Sequence, residues 1–283
     1  MTLSKFIATI VATSALGIGA ASAADLAARP YTKAPAAVAP LYNWTGFYVG
    51  VNGGWVGSSN GSLSNTGTDT GFGGLGTAVN VGLIPFAATG FNNNGGMVGG
   101  TVGYNWQVAP SWVVGFEGDI DWVSAKRTVN TGFITVPGFV PVATSYTREL
   151  DWLATFRGRV GFLATPALLV YATGGGAAGE VKIGNQFICP TCAPPSSTQA
   201  GTVGTNDTTA VGWTVGAGFE WKFAPAWSMK AEYLYVDLGN HSSVITYTYG
   251  ANTSSLTSSV HDTFNVARVG VNYQFGAPVV AKY

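Results

Sequence analysis

The chain has 283 residues, of which only 9% are charged, 47% are hydrophobic and 40 are glycine. Its 13 basic and 13 acidic residues cancel, so it lacks the basic footprint of a nucleic-acid-binding protein, and its charged fraction lies well below the roughly one quarter of an ordinary soluble domain. Beyond the N-terminus no apolar run reaches the ~18 residues of a helical membrane span, which leaves strands as the only means of crossing a membrane.

The N-terminus reads as a targeting segment. Lys5 is followed by the apolar run Phe6 to Ala20 and the small-residue site Ala21-Ser22-Ala23. This is the pattern of a cleaved secretory signal peptide, residues 1–23. Residues 24–43 are rich in Ala and Pro without a period and read as a flexible periplasmic linker. A barrel domain is expected over 44–275 and a tail over 276–283.

The first strand is expected near Trp44, with Phe47, Val49, Val51 and Trp55 on one face and Tyr48, Gly50 and Asn52 on the other. A long Gly/Ser/Thr/Asn stretch runs from there to about Gly95. The second strand, about Met97 to Gln107, turns Val98, Val102, Tyr104 and Trp106 outward. The third, Trp112 to Trp122, is the most telling. Its even residues are apolar with a tryptophan at each end, and its odd residues include Glu117, Asp119 and Asp121. Alternation with period 2 is the mark of a strand. At about 3.3 Å per residue and a tilt near 45°, this run climbs roughly 23 Å, close to the apolar band of a transmembrane barrel.

The fourth strand, about Tyr146 to Phe162, puts Leu150, Trp152, Phe156 and Phe162 outward and Asp151, Arg157 and Arg159 inward. The fifth, from Leu168, fades into Gly174-Gly175-Gly176. After a loop holding both cysteines, the sixth runs from Val211 to Phe223 with Glu220 and Lys222 inward. The seventh, from Trp227 to Tyr235, turns Lys230 and Glu232 inward. A fourth long loop is expected over Leu238 to His261. The eighth strand ends at Phe275 with Arg268, Asn272 and Gln274 inward. Short connections at Val108–Ser111, Ala164–Ala167 and Ala224–Ala226 alternate with long polar ones.

This is the pattern of an all-β, eight-stranded antiparallel up-and-down transmembrane barrel with four long extracellular loops and three short periplasmic turns. Behind an export signal it places the chain in a bacterial outer membrane. The sorting of charge carries the argument: strand charges fall on the inward set, and the exceptions, Arg148 and Asp237, fall at the outer rim. A lipid-facing Arg or Lys at the midplane costs about 2–4 kcal/mol, with the cost fading toward the interfaces. The outer face of a soluble sandwich imposes no such penalty.

An eight-stranded barrel has an interior just wide enough for side chains. The inward residues Glu117, Asp119, Asp121, Asp151, Arg157, Arg159, Glu220, Lys230, Glu232 and Arg268 are therefore expected to pair as a charge network that plugs the lumen. The pairing itself is open at this stage.

Several stretches resemble a known family: Trp44-Thr45-Gly46-Phe47-Tyr48-Val49-Gly50, Gly103-Tyr104-Asn105-Trp106-Gln107, Phe156-Arg157-Gly158-Arg159-Val160-Gly161, Lys230-Ala231-Glu232-Tyr233-Leu234-Tyr235, and Val266 through Tyr273. Together, over Trp44 to Phe275, they are similar to the outer-membrane immunogenic proteins, relatives of the opacity-type surface antigens and OmpA-like barrels. The resemblance implies a surface-exposed structural protein or antigen, with hemin binding and small-porin activity among its relatives. Such barrels end on an aromatic that the assembly machinery reads. Phe275 fits that position, but Gly276 to Tyr283 follow it.

Other chemistry is weaker. Cys189-Pro-Thr-Cys192 lies in an exported loop without a strand-to-helix context, so a small disulfide is expected rather than a redox site. His241 and His261 flank the fourth loop and are the only imidazoles available to hemin or a metal, although exposed histidines without a ligand are commoner. Gly71 to Gly76 matches a GxGxxG string, but no nucleotide-binding unit surrounds it. No base and nucleophile show a recognisable spacing. The expectation is a protein with no catalytic residues, no metal and no resident cofactor. Its expected partners are outer-membrane lipid and lipopolysaccharide, the barrel-assembly machinery, and host or environmental surface ligands. A small porin and a hemin-binding surface protein stand as alternatives.

Overall fold

The structure is a computed structural model that describes residues 42–59, 62–71, 74–85, 87–88, 92–189, 202–249 and 251–276. The expected signal peptide, nearly all of the linker and the tail after Gly276 lie outside the described residues.

Eight long strands close a ring: β1 (Gly46–Ser58), β4 (Asn94–Ala109), β5 (Trp112–Asn130), β6 (Ala143–Thr165), β7 (Leu168–Ile188), β8 (Thr202–Ala224), β9 (Trp227–Tyr249) and β10 (Asn252–Gln274). Each is antiparallel to its neighbours, and β1 pairs with β10 to shut the barrel. Closure removes the unpaired edges that lipid could not satisfy. The three short turns, between Ala109 and Trp112, Thr165 and Leu168, and Ala224 and Trp227, gather at the end where the chain enters and leaves the barrel.

The outward faces carry the expected apolar band. Trp106, Trp112, Trp221, Trp227 and Phe275 ring the lower edge, and Trp55, Trp122 and Trp213 the upper, all exposed. Neighbouring rings touch, as at Trp227–Tyr273 (5.0 Å between centroids) and Trp213–Tyr235 (5.6 Å). Rings at both interfaces with aliphatic side chains between them are the surface of an outer-membrane barrel.

The strands run much further than their apolar bands. β9 and β10 remain paired from the lower rim up to Tyr249 and Asn252, so most of the expected fourth loop is a strand hairpin. β7 does not fade at Gly174-Gly175-Gly176 but continues to Ile188. The triple glycine lies opposite Phe156 to Gly158, and a Cβ on Gly175 would run into the backbone of Phe156 and Arg157. With no side chain, Gly175 lets the β6 backbone pass this close.

The first long connection is also structured. It contains β2 (Leu63–Asp69), a one-and-a-half-turn helix α1 (Leu75–Asn80) and the two-residue β3 (Ala87–Ala88). β2 pairs with the upper part of β10, above the point where β1 ends. Helix α1 brings Leu75, Ala78 and Val79 against Ile245, Leu256 and Phe187 from the strand extensions.

Two bulges change the facing of residues above the apolar band. At Asp151–Trp152 the β6 register slips against both neighbours. Below it the odd residues Leu153, Thr155 and Arg157 are buried; above it the even residues Leu150, Arg148 and Tyr146 are. One extra residue reverses the facing of everything beyond it. On β9 the slip falls at Gly239, whose φ of 83° is left-handed, and whose amide donates to the Asp237 carboxylate at 2.9 Å.

Candidate functional site: the barrel lumen

The lumen is filled in layers. At the lower mouth Trp44 is buried, and its indole donates to the Pro166 carbonyl at 3.1 Å. Lys222 lies 4.8 Å over that ring and donates to the Asn43 carbonyl at 2.7 Å and to the Gln274 side chain. Its ammonium is held by oxygen dipoles and a π-face.

Above this cork sits the charge network. Arg157 is wholly buried and binds Glu117 (2.6 Å), Asp119 (2.7 Å) and Glu232 (3.1 Å). Arg268 binds Asp119 (2.9 Å), Asp121 (2.5 Å) and Glu232 (2.6 Å). Lys230 binds Glu117 at 2.9 Å. Arg159 pairs with Glu220 at 2.8 Å, while its guanidinium stacks 4.0 Å over the Tyr171 ring. The Tyr48 hydroxyl donates to Glu117 at 2.8 Å and accepts from Arg159 at 3.0 Å, so it joins the two halves. These residues come from β1, β5, β6, β7, β8, β9 and β10, so the bonds cross the lumen from wall to wall. A buried ion is tolerated only when paired and hydrogen-bonded, and each guanidinium here reaches two or three acceptors.

Of the ten residues expected in this network, nine meet in it. Asp151 does not. It lies at the β6 bulge with its side chain 31% exposed, and it bonds Lys182 at 2.5 Å on the outer rim. The same bulge corrects the reading of Arg148, which is no rim exception. It points into the lumen and bonds Asp262, with its Nε donating at 2.7 Å.

Between these charged levels lies an apolar layer that the sequence reading did not foresee. Val56, Leu150, Leu153, Leu234, Val236, Phe264 and Val266 are buried and form one cluster. The signal was present: on β9 the inward positions change from Lys230 and Glu232 to Leu234 and Val236. Above this layer the Arg148–Asp262 pair continues to His241, whose Nδ1 lies 3.0 Å from the second Asp262 oxygen. Higher still, Asn65, Ser258, Asn185 and Ser243 form a hydrogen-bonded chain, and α1 closes the top.

Sequence comparison places this architecture. The family model of the outer membrane protein beta-barrel domain matches residues 11–275. The chain belongs to this family. Its family relatives include the 31 kDa outer-membrane immunogenic protein of Brucella melitensis biotype 1, 32% identical over 281 residues, covering 95% of this chain and 97% of that protein. The 25 kDa outer-membrane immunogenic protein of Brucella abortus biovar 1 is 26% identical, covering 87% and 86%. Among solved structures, the outer membrane protein OprG from Pseudomonas aeruginosa is 13% identical with a TM-score of 0.42, covering 83% of this chain and all of that one. This member of the outer-membrane immunogenic protein family is thus an outer-membrane surface protein, and its fold rests on the strand register described above.

The remaining expected positions of this family member fall apart as sites. His241 faces the lumen and is locked to Asp262. His261 lies on the outer side of the wall, with Nε2 3.2 Å from Asp237 and Nδ1 2.8 Å from Asn240. The two imidazoles sit on opposite faces, so they do not form the shared hemin or metal site that their flanking of one loop suggested. Cys189 is buried and is not a free thiol; Cys192 lies outside the described residues.

Asp69 ties the lumen cap in place. It accepts from the backbone amides of Gly76 (3.0 Å) and Thr77 (2.7 Å) at the start of α1, and from the hydroxyls of Thr77 and Ser254. Burial pushes its carboxyl up, but the bonds from Ser254, Gly76 and Thr77 outweigh this and hold it below its ordinary value of 3.8. A depressed folded-state value means that Asp69 stabilises the cap above the ordinary carboxylate value and loses that contribution as pH falls through the depressed one. Hydrogen exchange of residues 63–71 and 74–85, taken relative to the intrinsic amide rate at each pH, is therefore expected to speed up below about pH 4. In Asp69→Ala, which removes about 1 kcal/mol of capping, it is expected to be fast already at neutral pH. Equal protection in the variant and the wild type would remove Asp69 from this role.

Proposed function

We propose that the protein is a non-enzymatic barrel whose lumen is closed, and that it acts by stabilising the outer membrane and displaying its extracellular face as a surface antigen. The observation that carries this reading is the filled lumen. A network of salt bridges crosses it in the lower half, an apolar cluster fills it above, and Trp44 with Lys222 occupies the lower mouth. The names of the Brucella relatives support the antigen reading. The assembly machinery, surrounding lipopolysaccharide and external surface ligands are its proposed partners, and hemin is not included, because the two histidines do not converge.

The test is single-channel recording of the refolded mature protein in a planar bilayer. A quiet barrel is expected, and steady open-state current scaling with salt would overturn the reading in favour of a small pore. A second measurement locates the seal. Apolar constrictions exclude ions by staying dry, and polar ones fill with water. The triple variant Leu150→Ser, Leu234→Ser, Phe264→Ser is expected to show current steps, whereas Lys222→Met alone is not.

A further inference from the structure

The outer wall carries a concavity that the closed-lumen reading leaves unused. It crosses β8, β9, β10 and β1 within the apolar band and has a volume of about 540 Å³. Its floor consists of Gly53, Ala217, Ala231 and Ala267, which point outward on adjacent strands. Trp55 and Phe219 stand at its margins. A barrel wall normally presents large side chains to lipid; here four small ones, diagonal to one another across the register with Tyr233 and Val269 between them, leave a trough of the size of a ligand site.

A second feature lies at the upper end of this trough. Asn265 faces outward on β10, one row above Ala267 and level with Tyr235 of the upper aromatic rim. An amide side chain turned toward lipid is costly and marks a site that does something. Its Oδ1 accepts from the Tyr233 hydroxyl, and its Nδ2 donates to the Ser59 hydroxyl at 2.7 Å. An amide nitrogen has two hydrogens and an amide oxygen two lone pairs, so one donor and one acceptor remain for a partner in the membrane.

We propose that the trough is a binding site for one acyl chain of lipid A, with the hydrocarbon lying over Ala231 and Ala267 and the polar start of the chain bonded to Asn265. Depth chooses between the leaflets. The trough lies level with Trp55, one row under Tyr235, and well above the lower ring at Trp227 and Tyr273, which places it in the outer leaflet. Chemistry matches along its length. The floor is apolar where methylenes lie, and the amide stands where an ester, an amide or a 3-hydroxyl group of the chain meets the interface. Small residues on a membrane face also let proteins approach each other, so a second copy of this chain is the competing occupant. The inference does not depend on whether the lumen conducts.

The experiment is native mass spectrometry of the full barrel in mild detergent, with lipid A or a phosphatidylethanolamine of matched chain length added. The wild type is expected to retain one lipid A per monomer and to prefer it over the phospholipid. Filling the trough with Ala231→Phe and Ala267→Phe is expected to lower retention about tenfold. Asn265→Leu, which keeps the trough open, is expected to lower it as well, and Ala154→Phe, on the outward face of β6, to leave it unchanged. Gel mobility of each variant checks that it has folded. Equal retention by the filled variant, equal retention of both lipids, or a lipid-free wild-type dimer that Ala231→Phe dissociates would each overturn the proposal.

Discussion

Replacing Arg268 by Met is expected to destabilise the folded barrel by about 3–5 kcal/mol, the usual result of removing one partner from a buried ionic cluster. Among the described residues Arg268 is the only cation within bonding distance of Asp121, and it also neutralises Asp119 and Glu232. Without it, Asp121 is left with no cation, and Glu117, Asp119 and Glu232 share the Arg157 guanidinium and the Lys230 ammonium in a buried space. The energy lost is that of stranded carboxylates, more than that of the missing bonds. A compensating change therefore follows: Arg268→Met with Asp121→Asn removes one cation and one anion together and should recover a substantial part of the loss. The two changes share partners and will not add. The measurement is the denaturant midpoint of refolded protein in micelles, followed by the shift between folded and unfolded gel mobility. A single variant within about 1 kcal/mol of the wild type would show that water or other side chains serve these carboxylates.

The same cluster shows how far the sequence could be read. That Glu117, Asp119, Arg157, Arg159, Glu220, Lys230, Glu232 and Arg268 face inward followed from the period of the strand, because a side chain's face is a local property. Which carboxylate meets which guanidinium is not local. Arg157 and Glu232 are separated by 75 residues, and their meeting depends on closure of the ring and on the stagger of every strand between them. The period also turns Tyr48 inward, but its place in the network, and that of Tyr171, is not legible in it, since a phenol joins a charged group only when geometry delivers it.

What failed to be legible was mostly the result of single residues. Asp151 was placed in the lumen and Arg148 at the outer rim by carrying one parity along the whole of β6. The bulge at Asp151–Trp152 reverses both assignments, and nothing in the composition of Leu150-Asp151-Trp152-Leu153 announces it. On β9 a signal did exist in Asp237-Leu238-Gly239, where a left-handed glycine follows an aspartate able to bond its amide. The strand extensions beyond the aromatic rings were missed because Ser, Thr and Asn on both faces hide the alternation once neither face meets lipid. The cap at α1 was hidden in a Gly-rich stretch for a similar reason. Its six residues form a helix because Asp69, at the end of β2, and Ser254, distant in sequence, satisfy its first amides.

The lipid-face assignment makes a prediction graded by depth. Phe116 stands midway between Trp112 and Trp122 on β5, in contact with Trp106 (5.6 Å) and Phe156 (6.2 Å). Phe116→Arg is expected to lose about 2–4 kcal/mol for a charge at the midplane, together with those ring contacts. That corresponds to roughly thirtyfold to several hundredfold in the folding equilibrium, enough to abolish insertion into vesicles under conditions where the wild type folds. Val215 lies two residues below Trp213 of the upper ring, where the penalty is already fading, so Val215→Arg should fold in reduced yield. Val211 also points outward, but it lies beyond Trp213 and is 74% exposed. Val211→Arg places its guanidinium at or above the headgroups and should fold as the wild type does. Refolding yield into lipid vesicles, read by heat-dependent gel mobility, gives all three values in one assay. The order 116, 215, 211 from worst to best follows only if these side chains look into a bilayer. Three equal yields would mean that the face bracketed by tryptophans meets something other than lipid, and the outward half of the structure would have to be reinterpreted.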